Sequence, residues 1–323
     1  MNSEPLLRIR NLKTWFPVKK GVFARTVGYV RAVDDVSLDI YDGETLGVVG
    51  ESGCGKSTLA RTILRLEKPR AGSILMNGED VLTMKGAQLK AFRRSTQVVF
   101  QNPHASLNPR HTVLELVTEA MLAYGLTTRE QRQTDAAKLL DDVGMSPDVL
   151  NRYPHEFSGG QRQRISIARA LSLSPKLLIC DEAVSALDLS VRAQVLNLLE
   201  ELRVRHNLSY LFITHDIAVV EHISDRIAVM YLGKIVETGA TAVVLNSPAH
   251  PYTRLLMRAV PRIGTPLPED DAPPVEVSQT KELIGCPFAP RCPLADDYCR
   301  LNTPPLEALE SPAHLCACFK ASY

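Results

Sequence analysis

Apolar and polar residues alternate along the first part of the chain. LLRIRNLKTWF, VRAVDDVSLDI and AGSILMNGEDV read as half-buried strands separated by turn residues. Between the last two the pattern changes. TLGVVG (Thr45–Gly50) is an unbroken apolar run suited to a buried parallel strand, and TLARTILRL (Thr58–Leu66) has helical spacing. From about Val113 to Tyr153, TVLELVTEAMLAYG and TREQRQTDAAKLLDDVG repeat apolar residues at helical intervals, with Gly125 and Gly144 as stops. KLLICDE, SYLFITHD and RIAVMYLG then read as strands, and SVRAQVLNLLEELRVRH as a helix between the first two. Strands alternating with helices predict an α/β fold with a mostly parallel, covered sheet. The stretch GTPLPEDDAPPVEVSQT (Gly264–Thr280) reads as a linker.

Composition narrows the class. The chain has 323 residues and a formal net charge of +1, so no global charge points to nucleic acid or an acidic substrate. No apolar stretch approaches the roughly 20 residues of a membrane helix, and MNSEPLLRIR lacks the apolar centre of a secretory signal. Membrane association is therefore expected only through a partner. Of seven cysteines, Cys54 and Cys180 stand apart and five lie between Cys286 and Cys318. Without an export signal, that grouping suggests metal or cluster ligation before disulfides.

Chemistry concentrates first at GESGCGKST, which is Gly50, Glu51, Ser52, Gly53, Cys54, Gly55, Lys56, Ser57 and Thr58. This fits G-x-x-x-x-G-K-[ST] between a strand and a helix, the setting that motif needs. Glycines let backbone N–H groups turn onto phosphate oxygens, and the helix N-terminus adds a favourable partial charge. Lys56 is expected to reach the outer phosphates, and the Ser57 hydroxyl to bind Mg²⁺. LLICDE ends a strand in two carboxylates. Asp181 is suited to hold the Mg²⁺, and Glu182 to orient a water and take its proton. In FSGGQRQRISIARAL, Ser158, Gly159 and Gly160 open a helix, presenting N–H groups and a hydroxyl at a positive end.

The order of phosphate loop, SGGQ and LLICDE resembles the ATPase subunits of ABC transporters. Gln101 in VVFQN matches that family's loop glutamine, SALD (Ser185–Asp188) its dimer-contact loop, and His215 in FITHD its switch histidine. The resemblance spans about Leu6 to Leu245. It implies a P-loop NTPase core, an N-terminal antiparallel β subdomain and an inserted helical subdomain at about 104–173, within an ATPase domain of residues 1–263. It also implies a head-to-tail dimer in which ATP on one phosphate loop meets Ser158, Gly159, Gly160 and Gln161 of the partner. Mg²⁺ would be held by Ser57, Gln101 and Asp181, and His215 would contact the γ-phosphate. Adenine would stack on Phe16 or on Tyr29.

QNPHASLNPR (Gln101–Arg110) and HPYTRLLMRAVP (His250–Pro261) resemble segments of the di- and oligopeptide importer ATPases. That resemblance implies a paralogous ATPase partner, two integral-membrane permeases, an indirectly coupled extracytoplasmic peptide-binding protein and a place on the cytoplasmic face of the membrane. Glutathione and nickel complexes remain alternative cargoes. A soluble ABC ATPase acting on DNA or ribosomes is disfavoured by the lack of a basic patch, and a non-hydrolysing scaffold by intact Glu182 and His215. The stretch Gln101–Arg110, with the helices to about Tyr153, is expected to form the permease groove, with Leu107 in it. The extension, residues 281–323, carries C-x₅-C-x₆-C and H-x-x-A-C, resembling a tail that in some of these ATPases holds a [4Fe–4S] cluster. Cys286, Cys292, Cys299 and Cys318 are the expected ligands, with Cys316 spare. Four thiolates suit either a [4Fe–4S] cluster or Zn²⁺. Loss of one of these ligands is expected to disorder the tail and impair assembly while leaving Lys56-dependent nucleotide binding intact.

Overall fold

The structure, a computed structural model, describes residues 4–21, 25–102, 106–258 and 284–321. The stretch read as a linker lies outside these residues. The chain divides into two compact units, one of residues 1–39, 45–82 and 214–323, the other of 40–44 and 83–213. In chain order the strands are β1 (Leu7–Lys20), β2 (Arg25–Ile40), β3 (Thr45–Val49), β4 (Ala71–Met76), β5 (Glu79–Asp80) and β6 (Thr96–Val99). They continue as β7 (Leu177–Asp181), β8 (Ser209–Thr214), β9 (Arg226–Tyr231), β10 (Lys234–Ala240), β11 (Glu307–Ala308) and β12 (Leu315–Cys316).

The first unit holds an antiparallel sheet in the order β2-β1-β4-β5. The alternation in β1 changes phase: Leu7 and Ile9 face inward, then Leu12 and Thr14. The register slips between Arg10 and Lys13, and Asn11 takes a left-handed φ of 47°. A bulge there moves the inward face from odd to even positions. The same unit pairs β3 with β9 in parallel and β10 with β9 antiparallel. The tail extends this set, since β12 pairs with β10 and β11 with β12. A buried cluster includes Val49, Val220, Ile227, Val229, Val244, Tyr252 and the tail's Phe288. The extension therefore shares the core of the unit that carries the phosphate loop.

In the second unit β6, β7 and β8 run parallel, with β7 central. Helices span Gly86–Ser95, Val113–Tyr124, Arg132–Asp142, Gly159–Leu171 and Leu189–His206. The Val113–Tyr124 helix begins on a capping box of Thr112 and Glu115 and stops at Gly125, φ 67°. Arg132–Asp142 starts later than its apolar spacing suggests, after Gln131. Likewise the helix after the phosphate loop, Lys56–Ile63, ends before Leu66, because Arg65 turns to φ 57°. Among the described residues no helix is long and apolar enough to cross a membrane.

Candidate functional site

β3 is buried along its whole length and delivers the chain to Gly50. A Cβ on Gly50 would sit 2.1 Å from the Met230 carbonyl oxygen. One on Gly55, at φ 112°, would sit 1.8 Å from that of Ala32. Both contacts are with backbone, so neither can yield cheaply and the loop accepts only glycine at these two positions. Lys56 is buried and curls back over the loop. Its Nζ donates to the carbonyls of Gly50 at 2.7 Å and Glu51 at 2.9 Å. Burial pushes the Cys54 thiol up, and the Lys56 charge beside it partly offsets the shift. Ser52 and Gly53 are exposed, while Ser57 and Thr58 are half-buried on the first helical turn. Glycine cradle, buried ammonium and helix N-terminus fit a polyphosphate with its Mg²⁺.

The second unit brings Gln101 to Glu182. Gln101 Nε2 donates to Glu182 Oε2 at 2.6 Å across 81 positions of sequence. Glu182 takes φ 49°, its N–H donates to the Ile213 carbonyl at 2.8 Å, and Ser185 Oγ donates to its carbonyl at 2.9 Å. A non-glycine residue held left-handed by fixed contacts at a strand end is a strained, over-determined position of the kind found at working sites. Asp181, one residue earlier, is buried at the end of β7. Ser158 caps the Gly159–Leu171 helix: its Oγ accepts from Gln161 N–H, and Gln161 Oε1 accepts from Ser158 N–H. Gly160 lies against the next helix, where an added Cβ would meet Val191 Cγ1 at 2.4 Å. Asp188 caps that helix through the Val191 N–H at 2.9 Å. His215, in the first unit, is exposed directly after β8.

Trp15 donates from Nε1 to Asp34 at 3.2 Å, and Arg31 and Arg70 lie 4.6 and 4.7 Å from its ring centre. Tyr29 is 38% exposed, its ring centre 6.1 Å from that of Trp15 and 4.8 Å from the Arg70 guanidinium. Phe16, the next residue on β1, is half-buried.

Cys286, Cys292, Cys299 and Cys318 line one cavity of about 20 Å³, whose walls include Phe288, Leu294 and Pro304. Burial raises the thiols of Cys286, Cys292 and Cys318. Among the described residues no group of three or more His, Cys, Asp or Glu side chains is arranged to hold a metal ion. The four thiols thus share a wall without closing on one point. As a donor set in an apolar wall they suit a thiophilic metal or cluster. Cys316 lies outside that wall, in β12 opposite Glu237.

One expectation is corrected. Leu107 is only 2% exposed, so it packs inside its unit and offers no side chain to a permease helix. The tail also reaches the phosphate loop: Arg291 forks onto Glu51, with N–O distances of 2.9 and 3.0 Å. Tyr252 adds a second hold, its hydroxyl accepting from the Glu51 N–H at 2.9 Å. No sequence pattern links residues 240 positions apart, so these partners escaped the reading.

The chain is 48% identical over 322 residues to the oligopeptide transport ATP-binding protein AppF of Bacillus subtilis (strain 168), covering 98% of each. It belongs to the ABC transporter family. That family's profile matches residues 33–185, and the oligopeptide/dipeptide transporter C-terminal region matches 236–299. This ABC protein is also 48% identical over 331 residues to the oligopeptide transport ATP-binding protein OppF of Escherichia coli (strain K12), covering 98% and 96% of the two. It is 52% identical over 261 residues to the glutathione import ATP-binding protein GsiA of Shigella flexneri, covering 81% of this chain and 42% of that protein. Among solved structures, cbiO1 from Clostridium perfringens superposes with TM-score 0.64 at 25% identity, over 76% of this chain and 92% of that one. The dimeric ABC transporter cassette MJ0796 gives 0.63 at 26%, over 73% and 98%.

Proposed function

We propose that this chain is the ATP-hydrolysing subunit of an ABC importer for di- and oligopeptides. The observation that carries the reading is its likeness, over almost its whole length, to two oligopeptide transport ATP-binding proteins. The loop amides from Gly50 to Thr58 and Lys56 hold the phosphates. Ser57, Gln101 and Asp181 hold Mg²⁺, which neutralises charge on the phosphoryl oxygens. Glu182, oriented by Gln101, takes the proton of the attacking water, and His215 steadies the γ-phosphate. Adenine stacks on Tyr29 or Phe16. Ser158, Gly159, Gly160 and Gln161 serve ATP bound to the partner, a paralogous ATPase in a head-to-tail dimer. ATP then bridges two subunits and hydrolysis removes the bridge, which couples chemistry to opening.

The assembly sits beneath two permeases on the cytoplasmic face of the membrane and is fed by an extracytoplasmic peptide-binding protein. Its domains are the ATPase body of residues 1–263, a linker at 264–280 and the Cys-rich extension of 281–323. In that extension Cys286, Cys292, Cys299 and Cys318 hold a [4Fe–4S] cluster, or Zn²⁺ with the same four thiolates. The likeness to a glutathione import protein favours glutathione as the second cargo reading. The test is to purify the chain from its native membrane, identify the co-purifying proteins and measure ATP turnover. Two permeases, a second ATPase and turnover stimulated by peptide are expected. A chain that brings no membrane protein with it, or no turnover, would remove the importer reading.

A further inference from the structure

Glu51 sets a carboxylate beside the loop that would hold a polyphosphate. It follows the first glycine of the loop, and its carboxylate is anionic where the ligand is anionic too. Like charges in so small a space oppose each other unless one is neutralised. The structure shows how each part of Glu51 is held. Its carbonyl accepts from Lys56 Nζ at 2.9 Å, its N–H donates to Tyr252 Oη at 2.9 Å, and its carboxylate takes the Arg291 fork. The last two partners come from the C-terminal part of the chain, one from the helix Pro251–Arg258 and one from the segment between Cys286 and Cys292.

Both partners are themselves fixed. Tyr252 is fully buried and packs on Tyr231 and Phe288, with ring centres 4.5 and 5.5 Å away. The Arg291 guanidinium lies 5.9 Å from the Tyr231 ring centre and 5.8 Å from that of Phe288, and its side chain is 21% exposed. A planar fork held against aromatic rings orients a carboxylate in a way a flexible ammonium cannot. When Lys56 turns to a phosphate it releases the carbonyls of Gly50 and Glu51. The Glu51 carbonyl then keeps the Cys54 N–H at 3.3 Å, and the two C-terminal contacts are what hold its N–H and its carboxylate.

We propose that Arg291 and Tyr252 are positioning residues for nucleotide binding: through Glu51 they set the phosphate loop and screen its carboxylate from the incoming phosphates. The Cys-rich extension thereby acts on ATP affinity within one subunit. This rests on the reading of the loop as an ATP site.

The experiment titrates the full-length chain with Mg–trinitrophenyl-ATP and follows thermal unfolding without nucleotide. Arg291→Ala is expected to bind about five- to twentyfold more weakly than wild type, from loss of a partly exposed fork and exposure of the Glu51 charge. Arg291→Lys, which keeps the charge and loses the fork, falls about two- to threefold. Tyr252→Phe, which leaves the Glu51 N–H without its acceptor, falls about threefold or more. In the assembled transporter each rise appears in KM for ATP, with kcat unchanged. The decisive arm is the double variant Glu51→Gln/Arg291→Ala. With the repelling charge gone, affinity returns to within about twofold of wild type. A merely structural arginine would not be rescued by altering its partner.

Arg291→Ala binding within twofold of wild type, or a double variant as weak as the single, overturns the proposal. If Arg291→Ala does not fold, Arg291→Lys and Tyr252→Phe carry the test, and wild-type affinity in both overturns it. Lys56→Ala separates the two levels. Wild type that fails to bind removes the ATP reading itself. Binding that Lys56→Ala abolishes and Arg291→Ala leaves intact removes only the positioning role.

Discussion

Glu237 shows how much of the C-terminal architecture depends on one side chain. It lies on β10, fully buried, opposite Cys316 of the tail strand. Its Oε1 accepts from the Ala249 N–H at 2.8 Å and pairs with His314 Nε2 at 2.7 Å, while Oε2 accepts from the His250 N–H at 2.9 Å. It thus joins three pieces: the core strand, the entry to the Pro251–Arg258 helix and the end of the extension. Glu237→Ala strands all three partners in the interior. A buried group left without its acceptor costs about 1–3 kcal/mol, and removing one member of a buried pair about 3–5 kcal/mol. Because the three share one site the losses do not simply add, and about 4 kcal/mol is expected. Glu237→Gln is milder. Its amide oxygen replaces Oε1, but its NH₂ then faces the His250 N–H, donor against donor, for about 1–3 kcal/mol. The assay is urea unfolding followed by fluorescence of Trp15, the chain's single tryptophan and part of the same unit. Trypsin digestion in native buffer would report the tail through cuts at Arg291, Arg300 and Lys320. A Glu237→Ala protein within about 1 kcal/mol of wild type, with an equally protected tail, would refute this account of the junction.

Other outcomes follow from the same contacts. Glu182→Gln keeps ATP binding and loses about 10²–10⁴-fold in turnover, the contribution of a general base, read by phosphate release from the assembled complex. Ser158→Asp keeps a good N-cap for the Gly159–Leu171 helix but sets a carboxylate toward the partner's γ-phosphate. The isolated chain should bind ATP as wild type while the complex fails to turn over; Gly160 is a poorer place for this test because Val191 crowds its Cβ position. His250 is pushed down from 6.5 to about 4 by burial. Its folded value is depressed, so the stability it contributes is complete above pH 6.5 and is lost as pH falls toward 4, about 3 kcal/mol in all. Its Nδ1 caps the Pro251–Arg258 helix through the Tyr252 N–H at 3.0 Å, so His250→Asn keeps a cap and should flatten the urea-midpoint profile between pH 6.5 and 4. Cys318→Ser should abolish the metal content of anaerobically prepared protein, and Cys316→Ser should retain it. Iron with equal sulfide identifies a cluster, zinc without sulfide the alternative, and no metal in wild type removes both.

The parts legible in the sequence were those governed by short-range rules. The phosphate loop was readable because Gly50 and Gly55 meet backbone that tolerates no Cβ, which leaves a fixed pattern over nine residues. The Gly125 stop and the Ser158 cap were readable because each is decided within one helical turn. Legibility failed where the deciding contact is distant. The Asn11 bulge in β1 is set by pairing with β4, where Gly72 at φ 95° lies against Asn11 and Leu12 from about 60 positions away, and the end of the helix at Ile63 by the left-handed Arg65; neither Asn11 nor Arg65 is itself a glycine or proline. Strands β11 and β12 have two residues each and no period to detect. Leu107 lies in a polar-looking stretch, QNPHASLNPR, and only the fold shows it buried. The Glu51–Arg291 fork joins an acid that reads as a filler position in one motif to an arginine that reads as a spacer in another.

The central claim is that ATP turnover by this chain drives peptide across a membrane. Its most direct test is uptake of a labelled oligopeptide by proteoliposomes holding the purified complex, with the binding protein outside and Mg–ATP within. The account predicts uptake that requires ATP and disappears in Glu182→Gln although that variant still binds nucleotide. Uptake that is equal with and without ATP, or that survives Glu182→Gln at the wild-type rate, would contradict it.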